Sequence, residues 1–161
     1  MARSLDVVLG IAAAAIYLRV AYTDFTGWKI SNASVLSLLA LGIAGHLASG
    51  VDALVSGVAA GLLFFILNYL FWLAKMTGAG DVKLLAVTGF LVGIDRAMDL
   101  AVLLLVFSVL LLLVTTFAQY LAFMPTELSR RFAEIRNRGK VPYGVPISLA
   151  AIGVLLMRVM D

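Results

Sequence analysis

The chain of 161 residues contains no cysteine and a single histidine, His46. The absence of cysteine excludes disulfide frameworks, thiolate metal sites and cysteine nucleophiles, and one histidine excludes multi-histidine metal sites. Charged residues are scarce as well, at 13% of the chain, whereas soluble domains carry about 25%. Hydrophobic residues make up 63% and the mean hydropathy is +1.10. This composition excludes both a water-soluble globular domain and a disordered chain.

Long runs without charge predict membrane-spanning helices. Residues 30–51, 53–74 and 100–126 carry no charged side chain, and each run exceeds the roughly 18–20 residues that cross a bilayer. No segment alternates like a barrel strand, and backbone groups in lipid must bond within their own segment, which favours helices. We therefore predict an all-α membrane protein, formed by residues 1–161 as one domain. Six transmembrane helices are expected over residues 5–22, 33–49, 53–73, 81–95, 98–123 and 142–159.

The distribution of lysine and arginine predicts the orientation of these helices. The first helix is expected to stay uncleaved, because Arg19 interrupts any signal-cleavage region. The segments that join helices 1–2, 3–4 and 5–6 carry nine basic residues: Arg19, Lys29, Lys75, Lys83, Arg130, Arg131, Arg136, Arg138 and Lys140. The opposite face carries three: Arg3, Arg96 and Arg158. The nine-residue face is predicted to be cytoplasmic, which places both termini on the non-cytoplasmic side.

The segment between helices 5 and 6, about residues 124–141, is the one sizeable loop. Leu128, Phe132 and Ile135 recur in it at helical spacing, and arginines fill the other side. This pattern predicts a short amphipathic helix on an anionic inner leaflet. A basic loop that only sets the topology is the alternative.

Two aspartates stand apart from the others. Asp24 ends helix 1 and Asp81 opens helix 4, both on the predicted cytoplasmic side, whereas the remaining aspartates map to the opposite face or to the chain end. Two carboxylates that share a site do not both ionise cheaply, so one keeps its proton. Such a pair can activate water with one member and protonate a carbonyl oxygen with the other, as in aspartic proteases. The structural alternatives are an N-cap role for Asp81 and a solvated Asp24 paired with Lys29.

The length of helix 4 adds an argument about depth. Residues 81–94 span roughly 21 Å at about 1.5 Å per residue, which is less than the roughly 30 Å of a hydrocarbon core. Asp81 is therefore expected several ångströms inside the membrane, preceded by the non-helical backbone of Gly78, Ala79 and Gly80. Non-helical backbone at that depth lines a cavity or is buried in protein. An ionisable group there indicates a functional site.

These residues carry a resemblance to a known family. Asp24, followed by Ile30-Ser31-Asn32, and the later string Gly-Ala-Gly-Asp-Val-Lys over 78–83 resemble the type IV prepilin peptidases, which are GxGD membrane aspartyl proteases. The string Val-Pro-Tyr-Gly over 141–144 looks like the one that opens the last helix in the short members of that family. The resemblance implies that Asp24 and Asp81 are catalytic. It also implies that Gly78, Gly80, Lys83 and Asn32 form the active-site loop or touch the substrate.

The resemblance also implies a substrate and a subgroup. The long prepilin peptidases carry an additional N-terminal region, often with a cysteine-bound zinc, and N-methylate the new amino terminus. Because the chain has neither feature, it is similar to the short Flp (tight-adherence) type. The implied activity is removal of the leader of a prepilin or pseudopilin at the cytoplasmic face of the cell membrane, without methyl transfer.

Other assignments remain open at this point. Archaeal preflagellin peptidases share the two-aspartate arrangement. A non-enzymatic six-helix membrane component that uses the two aspartates as an ion or proton site is the alternative outside the enzymes. No dense acidic motif suited to magnesium is present, so neither a metal nor another cofactor is expected, and no nucleic-acid partner is predicted. The sequence does not set the oligomeric state or decide which aspartate is the base.

Overall fold

The computed structural model describes residues 2–117, 127, 130–132, 134–135 and 141–160. Within these ranges the chain is helical and contains no strand. The helices are α1 (Ala2–Gly27), α2 (Asn32–Ser49), α3 (Val51–Leu73), α4 (Ala79–Val92), α5 (Ala97–Phe117) and α6 (Gly144–Met160), with a 3₁₀ turn at Ile94–Arg96 before α5. The predicted all-α class is confirmed.

Four of the helical segments are long and apolar enough to cross a membrane: Leu5–Gly27, Asn32–Ser49, Val51–Leu73 and Ile94–Phe117. Helix α6 is apolar but shorter. Large apolar side chains cover the outside of the bundle, most clearly on α5, where Leu100 and Thr115 are the buried residues. An apolar exterior of this extent is what a lipid environment requires. The count of six spans stays a prediction.

Helix α4 forms the centre of the bundle. It packs against α2, α3 and α6, and eight of its residues are buried: Val82, Leu84, Leu85, Val87, Thr88, Gly89, Leu91 and Val92. Its contact with α3 is close because Gly89 faces the α3 backbone. A Cβ atom at Gly89 would lie 2.9 Å from the carbonyl oxygen of Ala60. The shortest of the six helices is therefore enclosed by longer ones.

The predicted bounds of two helices, α1 and α4, differ most from the structure. Helix α1 continues five residues past the predicted end at 22 and ends at Gly27, before Trp28, whose positive φ of 56° does not continue the helix. Asp24 therefore lies in the last turn of α1. Helix α4 runs over 79–92 rather than 81–95 and ends at Gly93, where φ is 84°. The predicted end of helix 5 at 123 lies outside the described residues, and α6 begins at Gly144 rather than at 142.

The basic segment between α5 and α6 packs on the protein. Residues 130–132 and 134–135 are helical, and Phe132 and Ile135 are buried against Phe25 and Trp28. Leu128, the third member of the predicted apolar face, lies outside the described residues. The prediction that this face rests on a lipid leaflet is wrong for Phe132 and Ile135, because the end of α1 offers them an apolar partner.

Candidate active site

A groove of about 690 Å³ opens at the end of the bundle where α1 and α3 end and α4 and α6 begin. Its lining residues come from these four ends: Asp24, Trp28, Trp72, Leu73, Lys75, Met76, Thr77, Gly78, Asp81, Val141 and Tyr143. We call it the aspartate groove. The loops that join helices 1–2 and 3–4 and the start of the last helix thus meet at one end, as the predicted topology requires.

Asp24 is held at the amino terminus of α6. Its side chain is 5% exposed, and its Oδ2 atom accepts a hydrogen bond of 2.8 Å from the backbone N–H of Gly144. The first amides of a helix have no partner inside the helix and carry partial positive charge, so they bind a carboxylate well. The site of Asp24 is therefore built by two helices that are distant in sequence.

Gly144 is required for this close approach. A Cβ atom at that position would lie 2.8 Å from Asp24 Oδ2 and 2.9 Å from its Cγ. No side chain larger than hydrogen fits without moving the carboxylate. In the sequence, Gly144 was noticed only as the last residue of the string Val-Pro-Tyr-Gly. That string did not predict a contact with Asp24.

Asp81 lies in the first turn of α4 and is half-buried. Its Oδ2 atom accepts a hydrogen bond of 3.0 Å from the backbone N–H of Gly78, the N-cap residue. This is the return contact of a capping box, made by the residue at N3. The expectation that 78–80 are non-helical is wrong for Ala79 and Gly80, which form the start of α4. Of these three residues, only Gly78 has extended backbone. Its N–H group donates its hydrogen bond to the carboxylate of Asp81.

The two carboxylates face one groove and interact electrostatically, since the charge of Asp24 acts on Asp81. Two acids that interact in this way titrate as a coupled pair. A water molecule bound between them would have a proton acceptor on one side and a proton donor on the other. The arrangement is suited to general acid–base attack on a carbonyl group.

The other predicted site residues separate into two groups. Gly78 lines the aspartate groove, whereas Gly80, Lys83 and Asn32 do not appear among its described lining residues. Lys83 Nζ donates to Asn32 Oδ1 over 3.4 Å, which joins α4 to the start of α2. Gly80 packs against Ile30, 3.3 Å from where its Cβ would be. Substrate contact by these three residues stays a prediction.

Arg131 is a further residue at the site, and the sequence did not single it out among the loop arginines. Its Nε atom donates to the backbone oxygen of Phe25 over 2.6 Å, and its guanidinium lies 4.9 Å from the ring centre of Trp28. Its positive charge acts on Asp24. Arg131 therefore attaches the basic segment to the turn of α1 that carries the aspartate.

A second groove, of about 460 Å³, adjoins the first and is apolar. It runs between α3 and α5 and shares Met76, Thr77, Asp81 and Tyr143 with the aspartate groove. Asn68 on α3 is a polar exception in its wall and is buried. We call it the apolar groove. Asp81 is thus placed where a polar groove meets an apolar one.

Metal ligands are not clustered in the part of the chain that the structure describes. No group of three or more histidine, cysteine, aspartate or glutamate side chains is close enough there to hold an ion. The polar groups of the residues that line the aspartate groove are two carboxylates, backbone amides, the Lys75 amine, the hydroxyls of Thr77 and Tyr143, and the indole N–H groups of Trp28 and Trp72.

Comparison with known proteins gives one match. The model of the type IV leader peptidase family matches residues 11–119, which include Asp24 and Asp81 and end before α6. No curated protein and no solved structure gives a significant match. The family match covers more than half of the chain and contains both carboxylates of the groove. The chain belongs to the type IV leader peptidase family.

Proposed function

We propose that the chain is a membrane aspartic endopeptidase that removes the leader of a prepilin or pseudopilin of the Flp type at the cytoplasmic face. The observation that carries the proposal is the pair Asp24 and Asp81 in one groove, within a chain of the leader peptidase family. One carboxylate takes a proton from water while the other protonates the carbonyl oxygen of the peptide. The attacked carbon–nitrogen bond then breaks as the new amine is protonated.

The apolar groove supports the substrate class. Its walls are formed by side chains such as Phe64, Leu104 and Ile147, and it reaches Asp81. An apolar helix of a membrane-embedded substrate fits such a groove, while its polar leader extends into the aspartate groove. The peptide at the junction has to unwind, because a helical backbone does not expose its carbonyl carbon to water.

The test is co-expression with a tagged Flp-type prepilin, followed by mass analysis of the new amino terminus. We expect wild-type protein to remove the leader, and Asp24→Asn or Asp81→Asn to slow cleavage by about 100- to 10,000-fold, the usual contribution of a general acid or base. Asp52→Asn is the matched control, since Asp52 is exposed in the first turn of α3 at the opposite end of the bundle.

Each other outcome has a meaning. Full cleavage by either aspartate variant at normal membrane levels contradicts the two-aspartate mechanism. Cleavage of a preflagellin but not a prepilin assigns the chain to the archaeal type of substrate. If no substrate of either kind is cleaved and the aspartates are needed for ion or proton flux, the chain is a non-enzymatic membrane component.

A further inference from the structure

The apolar groove has two polar side chains in its walls, one on each side. Asn68 lies on α3 and Ser108 on α5, and both line the groove together with Asp81. Asn68 is 7% exposed, and Ser108 is half-buried. Neither side chain has a hydrogen-bond partner among the described residues, and neither has a polar atom that the protein covers completely. Their polar atoms therefore open into the groove.

The lack of a partner in the protein is unusual for both side chains. Thr115 and Thr116 each donate to the backbone oxygen of Leu112, as hydroxyl groups inside helices commonly do. Ser108 lies on the same helix and makes no such bond within the described part of the chain. Buried polar groups nearly always have a partner, because an unpaired amide in an apolar wall costs free energy. Two exceptions in one groove indicate that their partner is a ligand of the groove.

The ligand of this groove can enter from the bilayer. Helices α3 and α5 scarcely contact each other, and Leu67, Phe71 and Leu105 line the groove with exposed side chains. A lipid chain would fill the apolar part but carries no hydrogen-bonding group, and a lipid ester only accepts hydrogen bonds. The Asn68 amide both donates and accepts. A peptide group matches it, since it offers one carbonyl and one N–H.

We propose that Asn68 and Ser108 bind unwound peptide groups of the apolar segment of the substrate, beside the scissile bond at Asp81. This inference rests on the proposed function and deepens it by naming two substrate-binding residues. In an intact helix each peptide group is bonded to another four positions away. Unwinding the junction frees these groups in an apolar groove, where an unpaired group is costly.

The two side chains compensate this cost. Asn68 accepts a hydrogen bond from one freed N–H and donates one to a freed carbonyl, and the Ser108 hydroxyl donates to a second carbonyl. In the empty groove water can make these bonds, and the entering peptide displaces it. The bonds form only after the substrate unwinds, because an intact helix offers no free peptide group at its centre.

This order of events gives the pair a kinetic signature. An interaction that is made only in the unwound complex raises kcat and leaves KM nearly unchanged. The apolar residues of the groove, such as Leu104, contact the helical and the unwound substrate alike and therefore contribute to KM. The division of an effect between kcat and KM separates these two kinds of lining residue.

The test is cleavage of a purified Flp-type prepilin by the purified chain in detergent–lipid micelles. Asn68→Leu should lower kcat about 10- to 100-fold and Ser108→Ala about 3- to 10-fold, both with little change in KM, because a freed peptide group stays unbonded. Leu104→Ala should raise KM instead. Ser49→Ala is the control that should change neither constant, since its exposed hydroxyl bonds to its own helix at the opposite end of the bundle.

Stability distinguishes substrate binding from a structural role. Because Asn68 has no partner in the described part of the protein, Asn68→Leu should leave the resistance to unfolding unchanged or raise it. A lower kcat in a chain that is at least as stable as the wild type supports the proposal. A parallel fall of kcat and stability would make Asn68 a structural residue and contradict the proposal.

A second substrate tests whether the partner is the backbone. In this substrate alanine replaces the polar side chains of the first two or so helical turns after the scissile bond, about seven residues. The loss of kcat in Asn68→Leu should persist, because the peptide groups of the substrate are unchanged. If the loss disappears, Asn68 binds a substrate side chain and the assignment to the backbone is wrong.

Two further results would overturn the inference. One is cleavage at the wild-type rate by both Asn68→Leu and Ser108→Ala. The other is a higher KM with an unchanged kcat in Asn68→Leu, which would mean that Asn68 binds the docked helix before it unwinds. Lack of cleavage by the wild-type chain contradicts the proposed function itself, whereas a cleaving wild type with either of these results contradicts the inference alone.

Discussion

At the scale of single residues, a buried hydrogen bond joins the two helices that carry the aspartates. The hydroxyl of Tyr17 on α1 donates to Thr88 Oγ1 on α4 over 2.9 Å, and Thr88 Oγ1 in turn donates to the backbone oxygen of Leu84 over 2.8 Å. Both side chains are fully buried. Tyr17 precedes Asp24, and Thr88 follows Asp81, by about two helical turns. The bond therefore lies on the same helix faces as the carboxylates and helps to set their separation.

Replacing Tyr17 and replacing Thr88 should have different effects on stability. Thr88→Val leaves the buried Tyr17 hydroxyl without an acceptor, so we expect it to lower the free energy of unfolding by about 1–3 kcal/mol. Tyr17→Phe leaves Thr88 bonded to Leu84 and should cost about 1 kcal/mol or less. The measurement is unfolding in mixed detergent and dodecyl sulfate, with the double variant closing the cycle. Two outcomes would show that the bond contributes little. One is an equal loss of unfolding free energy in the two single variants, and the other is a loss in the double variant that equals the sum of the two.

At the scale of elements, the basic segment after α5 acts as a support for the end of α1. Phe132 packs edge-to-face on Phe25 with ring centres 5.6 Å apart, and Arg131 bonds to the backbone of Phe25. These contacts hold the turn that follows Asp24. The arginines of the loop thus differ in role, because Arg130 pairs with Glu127 at the surface with a side chain 79% exposed.

This difference predicts different results for neighbouring arginines. Arg131→Ala should free the last turn of α1 and slow cleavage by about 10- to 100-fold through misplacement of Asp24. It should also speed tryptic cleavage after the exposed Lys29. Arg130→Ala, the matched control, should change neither rate, since an exposed ion pair is worth about 0–1 kcal/mol. If both variants behave alike in proteolysis, the segment does not support α1.

At the scale of the whole molecule, the exposed apolar surface and the uneven distribution of basic residues together predict an orientation in the membrane. The aspartate groove lies at the end where, by the sequence, the segments rich in lysine and arginine join the helices. That end is expected to face the cytoplasm. A substrate would therefore have to present its leader from the cytoplasmic side.

Single cysteines in the cysteine-free chain can test the orientation. Met76, beside the groove, is 65% exposed, and Met98, at the opposite end, is 73% exposed, so Met76→Cys and Met98→Cys form a matched pair. A membrane-impermeant maleimide added to intact cells should label Met98→Cys at once and Met76→Cys after permeabilisation. The reverse order would place the groove outside the cytoplasm and exclude cleavage of a cytoplasmic leader.

The sequence by itself determined the all-helical membrane class, the approximate positions of the helices and the two aspartates. The physical reason is local: charge-free runs longer than a bilayer core have to be helical in lipid, and a rare charge beside such a run is conspicuous. The helix ends were predicted less accurately than the helix positions. Helix α1 ends at Gly27, before the backbone turn at Trp28, five residues after its predicted end.

Only the tertiary structure decided what surrounds each carboxylate. The bond from the Gly144 amide to Asp24 joins residues 120 positions apart, and Arg131 reaches Phe25 across 106. Such contacts depend on how the helices pack and not on any local pattern. The same packing buries Phe132 against α1, where periodicity alone indicated a lipid surface. Amphipathicity shows that a helix has an apolar face, but the nearest apolar partner determines what that face contacts.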